Sequence, residues 1–159
     1  EFLPLPAQPT VRDTIAFGAT FAGLMESLPQ RRHPVIDQSW KVAEENFYAA
    51  MRDGIDADLR WITNDGQETA DWAAIYDDLL AHAVDGLESA GCSTAQAEHY
   101  VAPLRDRVAN RHTPASWKRE RVRGRLDDGA DLATAITDMQ RTYIEKQTET
   151  LIDGAFADW

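Results

Sequence analysis

Asn46 and Arg52 lie inside the run Glu44-Glu45-Asn46-Phe47-Tyr48-Ala49-Ala50-Met51-Arg52-Asp53-Gly54-Ile55-Asp56-Ala57. An amide and a guanidinium near the end of a helix are groups that hold a carboxylate or a phosphate, since the fixed donors of arginine match two oxygens at once. Arg52 also suits the negative end of a helix dipole, and Asp53 and Asp56 lie nearby as pairing partners. Spacing alone therefore leaves a ligand role and a structural role open. Asp56 and Asp58 would share one face of an extended segment and could offer carboxylates to Mg²⁺, although in a chain with 17 Asp a solvated face is the more ordinary reading.

A second group of cations runs from Arg105 to Arg125. Arg105, Arg107, Arg111, Lys118, Arg119, Arg121, Arg123 and Arg125 are eight of the 16 basic residues, with Asp106 and Glu120 the only acids among them. Such a stretch either pairs with the acidic helices around it or faces an anion or an acidic partner, with Arg119, Arg121 and Arg123 as the candidate surface. Cys92 follows Gly91 and reads as a small structural residue. His33, His82, His99 and His112 are far apart in sequence without a ligand spacing, so no metal site is expected. With no Gly-rich phosphate loop and no nucleophile elbow, no catalytic residue is assigned to this piece.

The elements that must position these groups are helical. The stripe Trp40, Ala43, Phe47, Ala50 and Met51 steps by three or four and predicts a helix with that side half-buried, with Asp37 as N-cap and Gly54 as stop. Before it, Glu1–Pro9 alternates around three prolines and predicts an extended arm. Thr10 with Asp13 then caps a central helix, about Val11–Leu28, on which Gly18 and Gly23 would permit close approach. Ile55–Ile62 alternates with period two and predicts a short strand, turned by Asn64-Asp65-Gly66. From Thr69 an amphipathic helix buries Trp72, Ile75, Tyr76, Leu79, Leu80, Ala83, Val84 and Leu87, and Gly91 ends it. Ser93 with Gln96 caps a helix to Val108 that Pro103 should kink or split. Thr113-Pro114 opens another to about Leu126. The last helix, about Leu132–Ile152, places Leu132, Ile136, Met139, Tyr143 and Leu151 at helical steps, and Phe156 and Trp159 suggest a docked tail. The expected fold is mainly α, a bundle of five or six helices with one or two short extended segments in a single domain over residues 1–159.

The chain has 159 residues, 43% of them hydrophobic, enough for a real core. Its net charge of −11 argues against nucleic acid as a partner. The preference for 17 Asp and 13 Arg over 3 Lys resembles a protein of a salt-rich cytoplasm, where screening tolerates self-repulsion. One cysteine fits a reducing, cytoplasmic interior. No apolar run approaches a membrane span, and no secretory signal is visible.

Two stretches in combination resemble the carboxylate-amine ligase family that includes the second type of glutamate–cysteine ligase. They are Glu1-Phe2-Leu3-Pro4-Leu5-Pro6-Ala7-Gln8-Pro9-Thr10 leading into an apolar helix, and Glu-Asn-x-x-x-Ala-x-Arg-x-Gly-x-Asp-Ala over residues 45–57. The resemblance implies the C-terminal part of a glutamine-synthetase-like α+β ligase, whose curved sheet binds ATP and Mg²⁺. It also implies a reaction in which the γ-carboxylate of glutamate becomes an acyl phosphate that an amine attacks. Gln8, Thr10, Asn46 and Arg52 would then contact substrate or nucleotide. ATP, Mg²⁺ and the amino acid substrates belong to the complete enzyme, whose N-terminal part is the expected partner, and this piece alone is expected to be inactive. The family pattern Glu-x-Arg is replaced by Glu1-Phe2-Leu3, so one substrate-facing arginine is missing. A stand-alone helical interaction module with an arginine-rich docking surface is the alternative.

Overall fold

The computed structural model describes residues 7–159. Six helices carry it: α1 (Val11–Gln30), α2 (Trp40–Asp53), α3 (Trp72–Ser89), α4 (Thr94–Ala109), α5 (Pro114–Asp127) and α6 (Leu132–Thr150). Among the described residues the one sheet is a hairpin in which β1 (Trp61–Ile62) runs antiparallel to β2 (Glu68–Thr69), with Trp61 opposite Thr69 and Ile62 opposite Glu68. Short 3-10 turns occupy Pro34–Asp37, Gly54–Asp56 and Phe156–Asp158. The mainly α architecture agrees with the apolar periodicity of the sequence. The predicted arm Glu1–Pro9 lies outside the described residues apart from its last three.

The chain forms two compact units, one made of the residues through Phe17 together with Pro103–Trp159, the other of Gly18–Ala102. In the second, α3 buries Ile75, Leu80, Ala83, Val84 and Leu87, five of the eight residues its sequence assigned inward, while Ala97 and Val101 of α4 are fully buried. α1 meets α3 backbone to backbone. A Cβ on Gly86 would lie 1.8 Å from the Gly23 carbonyl oxygen, and one on Gly23 would lie 2.1 Å from that of Ala83. Gly23 fulfils its expected role, whereas a Cβ on Gly18 would meet nothing within 4 Å. In the first unit, Trp117, Tyr143 and Phe156 form a buried cluster with Met139 and Trp159 against it, so the tail is docked.

Helix ends follow local capping chemistry, with corrections. Gln38 is extended, so the N-cap of α2 is Ser39 instead of Asp37, its hydroxyl accepting the Val42 N–H. Gly54 stops α2 with φ +60° and its N–H on the Ala50 carbonyl. The 3-10 turn that follows consumes Ile55 and Asp56, so of the predicted strand Ile55–Ile62 only Trp61–Ile62 pairs. Thr69 belongs to β2, and Asp71 caps α3 by accepting the Ala74 N–H at 2.9 Å. Pro103 sits inside an uninterrupted α4.

The largest correction concerns which side of a helix faces inward. α2 buries no residue; Val42, Asn46 and Ala49 form its half-buried side, while Trp40 is 82% exposed and Phe47, Tyr48 and Met51 are exposed with it. The stripe predicted to be buried is the outer face. α1 does the same on a larger scale: Asp13, Ala16, Thr20, Gly23 and Ser27 are buried, and Ile15, Phe21 and Met25 are exposed. Small residues at three- and four-residue steps let backbones approach, as the contact between Gly23 and Gly86 demands.

That contact yields a paired expectation. Gly86→Ala should destabilise the protein by roughly 2–4 kcal/mol, because the neighbour is backbone that cannot rotate away. Gly18→Ala should be stabilising by up to about 1 kcal/mol through better helix propensity. Urea unfolding of both variants checks the contrast.

Candidate functional site

Taken first where the sequence pointed, Gln8 and Thr10 enter one buried network in the first unit. The Thr10 hydroxyl donates to Asp13 Oδ2 at 2.5 Å while its oxygen accepts the Asp13 N–H at 3.1 Å, which is the helix cap the sequence predicts. The Phe156 N–H also reaches Asp13 Oδ2, at 2.9 Å. Arg107 Nη2 donates to Asp13 Oδ1 at 2.7 Å, and its Nη1 donates to Gln8 Oε1 at 2.8 Å. The rings of Phe17 and Phe156 lie 5.4 and 5.2 Å from this guanidinium. Burial pulls the Arg107 pKa below its ordinary value, and the Asp13 charge opposes that. Thr10 and Asp13 are each 1% exposed. In this arrangement Thr10 is a cap and Gln8 a partner of Arg107.

Asn46 is a clamp. Its Nδ2 donates to the Arg60 carbonyl at 2.7 Å and its Oδ1 accepts the Arg60 N–H at 2.9 Å, so the side-chain amide pairs with backbone as a neighbouring strand would. Gln38 adds a bond to the same carbonyl at 3.2 Å, and the Arg60 guanidinium returns to Glu45. Arg52 stands apart. Its side chain is 63% exposed and its ion contact is to Asp53 at 3.9 Å, a distance and exposure at which pairing contributes little. Asp56 falls in the 3-10 turn and Asp58 beyond it, so they do not share a strand face.

Arg119, Arg121 and Arg123 do not gather into one patch. Arg121 lies over the Trp117 ring at 5.1 Å, on the side of α5 that borders α6, whereas Arg119 and Arg123 are one helical turn apart on another side, both exposed. Of the acidic helices foreseen as partners for the arginine-rich stretch, the last one supplies Asp138 to Arg125 at 2.6 Å, whereas Arg107 pairs with Asp13 of α1. A groove of about 530 Å³ between α5 and α6 is lined by Arg121, Arg125 and Arg141 but also by Glu120, Asp128, Asp138 and Glu145, so it carries no net preference for anions.

Sequence spacing missed a cluster in the second unit. Asp78 accepts from Trp61 Nε1 at 2.7 Å, from the Asn64 N–H at 3.0 Å and from His33 Nε2 at 3.0 Å. His33 Nδ1 accepts the Val35 N–H at 3.1 Å, which places the ring proton on Nε2. The His82 ring meets His33 edge-on at 4.5 Å, and its Nδ1 lies 2.9 Å from Ser27 Oγ. Histidines 49 positions apart in sequence thus meet, a contact that no local ligand spacing announces. Ligand atoms of His33, Asp78 and His82 lie within 4.8 Å of one another. The group does not fit a metal as it stands. A cation on His33 Nε2 would require the ring proton on Nδ1, where the Val35 N–H already donates, and Mg²⁺ requires an oxygen shell. Asp78 is the anchor of the hairpin. The signal that could have exposed it is Asp78 on the flank of an otherwise apolar helix face.

Among the described residues no helix is long and apolar enough to cross a membrane. The family model of glutamate-cysteine ligase family 2 matches residues 1–150. No curated protein and no solved structure matches the chain.

Two measurements follow. Asp13→Ala leaves the Arg107 cation buried without its partner and should cost about 3–5 kcal/mol in urea unfolding. Burial lowers the His82 pKa, so below about pH 6.5 the unfolded chain binds a proton that the folded one resists. Stability should therefore be complete above about pH 6.5 and decline as pH falls below it, and His82→Gln should flatten that slope in unfolding curves taken between about pH 5 and 7.5.

Proposed function

Because the chain belongs to glutamate-cysteine ligase family 2, we propose that it is the helical part of an ATP-dependent ligase working in the cytoplasm. In this reaction an oxygen of the glutamate γ-carboxylate takes the terminal phosphoryl group of ATP, releasing ADP. The amine nitrogen then attacks the acyl carbon, a γ-glutamyl amide bond forms, and inorganic phosphate leaves. The observation that carries this reading is the family match across nearly the whole chain. ATP and the amino acids are substrates. The cluster of His33, Asp78 and His82 does not offer Mg²⁺ its oxygen shell, so no step is assigned to the metal here.

Within that enzyme the four signature residues divide by what their polar ends already do. Thr10, Gln8 and Asn46 are positioning residues: the first two join the N-terminus of α1 to Arg107, and the third fixes the extended backbone at Arg60. Arg52 is the residue whose charged end remains open, and it meets a carboxylate or phosphate of the substrates. It sits beside Tyr48 and Met51 at the edge of the exposed apolar face of α2. We assign that face to the sheet-bearing remainder of the ligase, which would cover it and bring substrate to Arg52.

The test is ligase turnover by the complete enzyme. Arg52→Ala should lower kcat/KM by about 10²-fold or more, with partial recovery in Arg52→Lys, whereas unchanged turnover would remove Arg52 from the site. Asn46→Ala should lower thermal stability as well as turnover. The 159-residue chain alone should release no phosphate from ATP in the presence of glutamate and cysteine.

A further inference from the structure

The charge of the chain is unevenly placed. The unit Gly18–Ala102 holds 15 acidic and 5 basic residues, whereas the rest of the chain holds 12 and 11. Over residues 61–102 there is no Lys or Arg at all against eight Asp or Glu. Carboxylates that served solvation alone would be spread over the whole chain, so this unit is the one whose field draws a cation.

On this unit a groove of about 450 Å³ runs between the start of α2 and the hairpin. Its walls are fixed in advance, because Gln38 and Asn46 both donate to the Arg60 carbonyl and hold the hairpin to α2. Val42, Ile62 and Ala70 give it an apolar lining. Ile62 and Glu68 are opposite in register, so their side chains share the face of the hairpin that borders the groove. Glu68 from this wall and Asp37 from the other are exposed, and neither side chain has a hydrogen bond or ion pair among the described residues. Arg60, the cation of the lining, is spent on Glu45. The groove is thus an aliphatic slot with two carboxylates left without a counterion. Ile36, the neighbour of Asp37, is 55% exposed and carries apolar surface past the slot, which suits a length of chain better than a single small amine.

We propose that this groove docks a basic segment of another protein. One aliphatic side chain of the segment fills the slot over Val42, Ile62 and Ala70, and arginines or lysines on either side of it meet Asp37 and Glu68. The apolar anchor supplies the hold, since burying it removes its surface and that of the lining from water together. The two charge pairs at the rim fix the register and speed the approach, and the net charge of the unit keeps acidic segments away.

Fluorescence anisotropy of a labelled pentapeptide, one leucine between two pairs of arginines, tests this on the 159-residue chain in about 0.15 M KCl. One-to-one binding with a Kd of about 10–100 µM is expected. Alanine in place of the leucine should weaken it about tenfold. Asp37→Asn and Glu68→Gln should each weaken it roughly three- to fivefold and together about tenfold or more, with thermal unfolding unchanged because neither side chain has a partner in the fold. Asp77→Asn removes the same charge from an exposed position of α3 outside the groove and should alter the Kd by less than about twofold. Absence of binding at about 1 mM chain overturns the proposal. A loss with Asp77→Asn as large as that with Glu68→Gln also overturns it, because the field of the unit and not the groove then holds the peptide. So does a peptide that binds the 159-residue chain but not the complete ligase, because the groove then belongs to the rest of that enzyme. Each readout is a binding constant, independent of ligase turnover.

Discussion

A carboxylate withdrawn from water must be given donors, and each compact unit of this protein is assembled around one such group. In the first, Asp13 takes a hydroxyl, a backbone N–H and a guanidinium, and these come from the start of α1, the tail and α4. In the second, Asp78 takes an indole N–H, an imidazole N–H and a backbone N–H, from β1, from the approach to α2 and from the hairpin turn. Neither hairpin strand exceeds two residues, and the tail forms one 3-10 turn, so neither could hold itself by its own ladder or length. The buried acids supply what local structure lacks. Aspartate suits the task because its short stem loses little rotamer freedom while its two oxygens accept from several directions.

The same economy of local structure explains the inverted helices. Where α1 crosses α3 through Gly23 and Gly86, the backbones are so close that only small residues fit on the shared side. Large apolar side chains then have nowhere to go but outward. α2 is held by a different device, an amide clamped to the backbone of Arg60, which needs a polar residue on its inner side and again leaves the aromatic side exposed. An exposed apolar stripe is thus a consequence of how each helix is attached.

What the sequence makes legible follows from the range of the forces involved. Caps and stops are decided within a few residues, and Thr10, Ser93, Thr113 and Gly54 could be read directly. The buried face of α3 could be read too, because its apolar positions agree with its packing. Periodicity located the stripe of α2 but could not choose its side, since a 3.6-residue pattern reports that a helix has two faces and is silent on which neighbour takes which. The His33, Asp78 and His82 cluster was hidden for a related reason: contacts across 45 and 49 positions leave no local spacing to detect.

For the candidate site, the division between used and open polar ends matters more than proximity in sequence. Gln8, Thr10 and Asn46 were grouped by a shared pattern, yet each spends its hydrogen-bonding capacity on the protein itself. Holding backbone in place is a sufficient physical reason for such residues to recur in a signature, because an amide that pairs with both the N–H and the carbonyl of one residue has no replacement of the same reach, glutamine being one methylene longer. Arg52 differs in kind. A guanidinium with a single 3.9 Å contact keeps nearly all of its donors available, and its place at the edge of an uncovered apolar face is where desolvation by a partner would strengthen its hold on an anion. The open end of the signature is therefore its last cation, and the residues before it hold backbone in place.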